Sequence, residues 1–451
     1  MRRRHAIQVL WLAAAVPAAC GGDDAATDTG RPDDAATADA DVPEAAPDAP
    51  PDDDGDAPAE DGAPADAADV PDDVGPEDAG DGEATGEPVW STVELGVQGI
   101  AYDVGRDNAG GVHLLRKVGN SLFYARLDGG AVAGDEELPD SGWAFTRFTR
   151  PRLAVRPDGS TVHTCWTNSD GTRNGTLFHA WRDVAGAWHR EAIWDCGGSM
   201  DRVVVPALGV DADGSVHVVV QRWTEGTSDG AVTYARKAAG GGWSAWSDLH
   251  VFPPEMRHIA GFTDRTGGFH ATWKGWAVPG RYRHAPPGAT LDGPAATARE
   301  IALPDGVASV GMGDLFAGAD GTVFHAFTTF NDYSIHCVRL GPGGASFEWL
   351  GRPSGGPLAR VEPYDPWPAV AADDGGRVLV AWADQSGAIE AARVDTVHVA
   401  TRDGDDWAVQ VLDAAAELDP ESKPALTVAS GRAWLVWRGD GGLLRLATAP
   451  L

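Results

Sequence analysis

PRLAVRPDGSTVHTCWTNSDGTRNGTLFHAWRD, residues 151–183, is the stretch that decides the fold. It opens as an apolar strand, turns at Asp158-Gly159 and returns as a second apolar strand that starts beside His163. A polar loop follows, then a third strand at Leu177-Phe178-His179-Ala180. A fourth strand is entered through Trp188. Asp-Gly between alternating apolar residues is a strong hairpin signal, with both turn positions expected at positive φ.

The same line returns at intervals of roughly fifty residues, the spacing of a repeat architecture. It stands at Ile100 to Leu115 around Gly110-Gly111 and His113, and at Pro206 to Val220 around Asp213-Gly214 and His217. It returns at Ile259 to Trp273 around Gly267-Gly268 and His270, and at Val310 to Phe327 around Asp320-Gly321 and His325. Pro368 to Trp382 with Gly375-Gly376, and Pro424 to Trp437 with Ser430-Gly431, complete seven copies. Four short strands per copy, seven times over, predict an all-β, seven-bladed β-propeller. In the sixth copy the third strand is either Ile389 to Ala392 or Val397 to Ala400.

The last copy ends after three strands, at Leu443 to Ala447, while Val89 to Leu95 reads like a fourth strand without a blade. An unclosed ring leaves unpaired sheet edges. Residues 89–95 are therefore expected to pair with 443–447 as the outer strand of the seventh blade.

Composition divides the chain into three parts. The formal net charge is −32, of which residues 2–4 carry +3, residues 21–88 carry −23 and residues 89–451 carry −12. Residues 21–88 contain no aromatic residue, no Leu and no Ile, so they cannot bury enough apolar surface to offset ordering entropy. They read as a disordered acidic Ala/Asp/Pro-rich stalk. Ahead of them, Arg2-Arg3-Arg4, an apolar run from Ala6 to Val16 and Ala18-Ala19 precede Cys20. This pattern resembles a bacterial lipoprotein signal, although Pro17 stands where that family favours Leu. The resemblance implies a signal peptide over 1–19, lipidation at Cys20, export, and a membrane anchor in the cell envelope at the outer membrane or cell surface. Acyl chains anchor because each buried CH₂ contributes about 0.8 kcal/mol.

No cluster of Lys and Arg offers a phosphate-binding surface, so nucleic acid is not an expected partner. No P-loop, nucleophile elbow or His-Glu-x-x-His motif is present, and neither cofactor nor metal is expected. A monomer is expected. His113, His163, His217, His270 and His325 share one repeat slot, a blade apart from one another, so each is expected to bond its own turn rather than an ion. Tyr124, His179, Tyr234, His284 and His336 are assigned a common slot on the third strand. Cys337 stands where other copies have Ala, as a small buried thiol, and Cys165 and Cys196 within one blade are a candidate disulfide in an exported protein.

Up-and-down strands put the connections between second and third strands, and between blades, on one face. These are long and irregular, and function concentrates on such loops. The candidate ligand residues there are Arg150, Arg202, Arg257, Trp276, Asp332, Tyr333, Tyr364, Asp365 and Trp367, a mixture of aromatic, Arg and carboxylate groups suited to sugars or acidic ligands.

The repeat over 97–451 resembles bacterial sialidase-like (BNR-type) propeller proteins in architecture. The hallmark Asp-box is not matched, since turns such as Asp211-Ala212-Asp213-Gly214 lack its spacing. Three Arg that clasp a carboxylate are implied by that family, and Arg150, Arg202 and Arg257 do not hold equivalent repeat positions. No catalytic residue is carried over. A non-enzymatic protein that binds a glycan or protein ligand is the leading expectation. A sialidase-like glycosidase or polysaccharide lyase is the alternative, which requires paired carboxylates on the loop face. A structural envelope protein is the third.

Overall fold

A computed structural model describes residues 87–141, 150–169, 175–195, 201–224, 230–252, 256–275, 280–301, 310–329, 334–356, 358, 367–386, 394–416 and 423–451. The signal segment, Cys20 and nearly all of the stalk lie outside the described residues. Seven four-stranded antiparallel sheets form the domain. Their innermost strands are Ile100–Arg106, Arg152–Val155, Asp201–Val210, Met256–Thr263, Val310–Ala317, Ala369–Ala372 and Ala425–Ala429, here blades one to seven. Each innermost strand packs on those of the blades before and after it, and the seventh packs on the first, so the ring is closed. No helix among the described residues is long and apolar enough to cross a membrane.

The closing strand is where the sequence puts it. Ser91–Gln98 lies antiparallel to Leu443–Pro450, with Thr92 opposite Ala447, Val93 opposite Leu446 and Glu94 opposite Arg445. Leu95 is buried there with Leu444 and Leu446. In blade six the third strand is Val394–Asp403, which settles the choice in favour of Val397 to Ala400.

Most turns differ from the expected form. In blades one to six only one residue of each turn pair takes positive φ: 87° at Gly110, 72° at Gly159, 89° at Gly214, 91° at Gly267, 82° at Gly321 and 86° at Gly376, whereas in blade seven both Ser430 (51°) and Gly431 (67°) do, as expected. In blade four, Gly267 N–H donates to Asp264 O (3.1 Å) and Asp264 N–H donates to Gly268 O (2.9 Å). This is a three-residue hairpin loop, a type I turn followed by a left-handed residue, which needs one positive φ instead of two.

Trp at the entry to a fourth strand serves as a latch between blades. Trp188 Nε1 donates to Glu136 of blade one (2.7 Å), Trp243 Nε1 to Glu191 of blade two (2.9 Å) and Trp407 Nε1 to Leu350 O of blade five (3.0 Å). Burial would raise the Glu191 carboxyl, but hydrogen bonds from His179, Lys237 and Trp243 hold it at about 2. Trp166, Trp382 and Trp437 fill the sheet interiors, fully buried on the second strands. Where blades three and four meet, glycine is required: a Cβ on Gly261 would come 2.8 Å from the Ala207 Cβ.

The repeated histidines bond their own blades. His113, His217 and His270 each set Nε2 against the Asp that opens the turn, at 3.3, 2.8 and 3.0 Å from Asp107, Asp211 and Asp264. Each sets Nδ1 against a third-strand Tyr hydroxyl at 2.8 Å, namely Tyr124, Tyr234 and Tyr282. The third-strand assignment in blade four is thereby corrected from His284 to Tyr282, because His284 lies directly across from His270. Cys337 and Cys165 are buried free thiols, and burial pushes both up, Cys337 to about 12. Cys196, the expected partner of Cys165, lies outside the described residues.

Candidate functional site

The strand order places the connections between second and third strands, and between blades, at one mouth of the axial channel. Towards that mouth, four of the seven blades contribute charges to one cluster, Asp103 from blade one, Arg150 and Arg152 from two, Asp314 from five and Lys423 from seven, and blade six adds Trp367.

Arg150, Arg152 and Lys423 are 3%, 5% and 4% exposed, far below the norm for cations. The Arg152 guanidinium reaches across the axis. Its Nη1 lies 3.8 Å from Asp103 Oδ2 and 3.5 Å from Asp314 Oδ1. Lys423 Nζ lies 3.6 Å from Asp314 Oδ2. Asp103 Oδ2 also accepts the Leu153 backbone N–H at 3.0 Å. Arg150 donates through Nε (3.1 Å) and Nη2 (2.5 Å) to Tyr102 O. The Trp367 ring lies under both outer cations, 4.9 Å from the Arg150 guanidinium carbon and 5.9 Å from Lys423 Nζ. Aromatic faces stabilise such cations, more so where water is excluded.

Among the described residues, three cations face two carboxylates. Among the described residues, buried Arg150 Nη1, Arg152 Nε and Lys423 Nζ have no hydrogen-bond partner. Buried donors of this kind call for water, an ion or a ligand. Burial, and then the neighbouring Arg152 charge, lower the Arg150 guanidinium to about 9. Burial raises the Asp314 carboxyl to about 6, against the pull of Arg152 and with a further push from Asp103. The channel on the far side of the cluster is lined by Asp103, Arg152, Asp314, Arg106, Phe262 and Phe316 and reaches the short turns at Asn108, Pro157 and Arg265; it has a volume of about 60 Å³ open to the centres of water molecules. At roughly 10–15 Å³ per water, that holds a handful of waters or one small polar group.

The sequence-based candidates fare unevenly. Arg150 and Trp367 meet at the mouth. Arg202 and Arg257 lie on the innermost strands of blades three and four, opposite Trp223 and next to the Met256–Gly275 pair respectively. Their side chains are not among the described features. Trp276, Asp332, Tyr333, Tyr364 and Asp365 lie outside the described residues. Asp103, Arg152, Asp314 and Lys423 were not among the candidates. A signal for three of them was present: Asp103, Arg152 and Asp314 are charges on innermost strands that are mostly apolar.

No family model matches the chain, and no curated protein sequence is detectably similar. Solved structures are similar. The BP39L lectin from Burkholderia pseudomallei has a TM-score of 0.52 at 12% identity, over 78% of this chain and 97% of the lectin. The likeness is one of fold. A Hadza microbial sialidase, Hz136, has a TM-score of 0.47 at 12% identity, over 75% of this chain and 73% of its own. The polysaccharide lyase Uly1 has 0.45 at 12%, over 80% of this chain and 99% of its own. At these identities a shared propeller does not carry over a ligand or a reaction.

Proposed function

We propose that this chain is an envelope-displayed binding protein whose propeller recognises a carboxylate-bearing glycan at the mouth lined by Arg150, Arg152 and Lys423. The observation that carries the reading is the excess of buried positive charge among the described residues, together with three buried donor groups that lack hydrogen-bond partners there. A carboxylate would satisfy them with charge-assisted hydrogen bonds, roughly twice as strong as neutral ones. Display follows from the N-terminal segment: export through 1–19, lipidation at Cys20, and an acidic stalk that stands the domain off the membrane. In this reading the chain acts as a monomer anchored through its lipid.

The test is calorimetry of the full chain against oligo-uronates and against the same sugars with their carboxyl groups reduced to alcohols. Binding is expected for the acids alone, weakened at least about 10-fold by Lys423→Met. Affinity should rise as pH falls through about 6, because protonation of Asp314 removes one negative charge from the cluster. Equal binding of acid and alcohol forms, or no binding of either, would overturn the reading.

One observation favours a second reading, a glycosidase. Asp103 and Asp314 share a single guanidinium nitrogen, each within 4 Å of it, and the raised Asp314 suits a general acid. Turnover of an acidic oligosaccharide that disappears in Asp314→Asn would support it.

A further inference from the structure

Blades one, three and four share an Asp–His–Tyr chain, and one neighbouring position distinguishes the fourth. The residue directly across from the His is Arg126 in blade one and Arg236 in blade three, but His284 in blade four. In blade three, Arg236 Nη2 lies 3.5 Å from Asp211 Oδ2. In blade one, Arg126 Nη2 and the Asp107 carboxylate border the same space in front of Gly111. A guanidinium therefore accompanies the carboxylate in both. Blade four has an imidazole instead.

Three metal-ligating side chains meet around that imidazole. His284 stacks on His270 with ring centroids 4.2 Å apart and planes 11° from parallel. Its Nε2 is buried and has no partner among the described residues. The ligand atoms of Asp264, His270 and His284 all lie within 4.8 Å of one another. Asp264 Oδ1 is held by the N–H groups of Thr266 (2.8 Å) and Gly268 (2.9 Å), which leaves Oδ2 to face the two rings. The Tyr282 hydroxyl fixes His270 through Nδ1 at 2.8 Å and turns Nε2 inward. A Cβ on Gly268 would sit 2.7 Å from His284 Nε2 and 2.8 Å from Asp264 Oδ2, so the absence of a side chain keeps the space between them open.

We infer that Asp264, His270 and His284 bind a divalent transition-metal ion of the zinc class in the place that arginine takes in the sister blades. Two imidazoles and one carboxylate favour such ions over Ca²⁺ or Mg²⁺, which prefer all-oxygen ligands. Bonds of about 2.0–2.2 Å to Zn²⁺ require the three groups to close by about an ångström and the half-buried His284 to turn out of its stack on His270, so that the planes of both rings meet at the ion. Three protein ligands leave a fourth position for water. The Tyr282 hydrogen bond to His270 is the kind of outer contact that orients metal-bound histidines.

The experiment is calorimetric titration of the metal-stripped full chain with Zn²⁺, beside the variant His284→Arg, which installs the side chain of the sister blades. The stalk carboxylates are identical in both chains, so weak binding there cancels. The wild type is expected to take up one tight equivalent, and His284→Arg to lose it by about 100-fold or more while it melts at no lower temperature. Thermal melts with and without Zn²⁺ should show stabilisation of the wild type alone. Equal stoichiometry and affinity in the two chains, or no tight equivalent in either, would overturn the proposal.

Discussion

Deletion of residues 91–98 from the full chain is expected to destabilise the propeller by at least about 3 kcal/mol and to make it self-associate. The segment supplies the outer strand of blade seven, paired along Leu443–Pro450. Its removal exposes Leu444 and Leu446, now fully buried, and forfeits the burial of Leu95, worth about 2 kcal/mol alone. It also opens a sheet edge of eight residues, a template for a second chain. Denaturant unfolding and light scattering would check this. An unchanged midpoint with a monomeric variant would mean that the ring does not depend on its closing strand.

Arg152→Leu is expected to cost about 3 kcal/mol, more at pH 8 than at pH 5. It leaves Asp103 and Asp314 facing each other without the cation they share, and breaking a buried pair from one side typically costs 3–5 kcal/mol. The sign of the pH effect follows from Asp314. Its folded-state value, about 6, lies above that of an unfolded Asp, so its protonated form favours the folded state. That contribution is complete below about pH 4 and is lost as pH rises through 6. Without Arg152 the value moves higher still, and the loss at alkaline pH grows. The double variant Arg152→Leu/Asp314→Asn should recover part of the stability, and a double-mutant cycle measures the coupling. A cost equal at both pH values would place the charge balance elsewhere.

The architecture was legible because each blade repeats the same local chemistry. Hairpin turns with a fixed glycine, apolar alternation and the orphan strand at 89–95 define seven closed sheets without reference to distant contacts. The error in blade four has a physical origin. A shift of two residues along a strand keeps every side chain on its own face, so His284 and Tyr282 fit the pattern equally well until the register with His270 is known. That same ambiguity concealed the juxtaposition of Asp264, His270 and His284. The channel cluster was harder to read. Asp103, Arg152, Asp314 and Lys423 are spread over more than 300 residues and meet only because the ring brings its innermost strands to one axis. Arg150 and Trp367 were reachable because they directly precede innermost strands.

The most direct test of the functional account is a crystal structure of the full chain grown with an oligo-uronate at pH 5.5. The account expects a carboxylate oxygen within hydrogen-bond distance of Arg150 Nη1, Arg152 Nε or Lys423 Nζ, with the sugar body above the Trp367 ring. A ligand ordered on another surface, with water alone at the channel mouth, would contradict it.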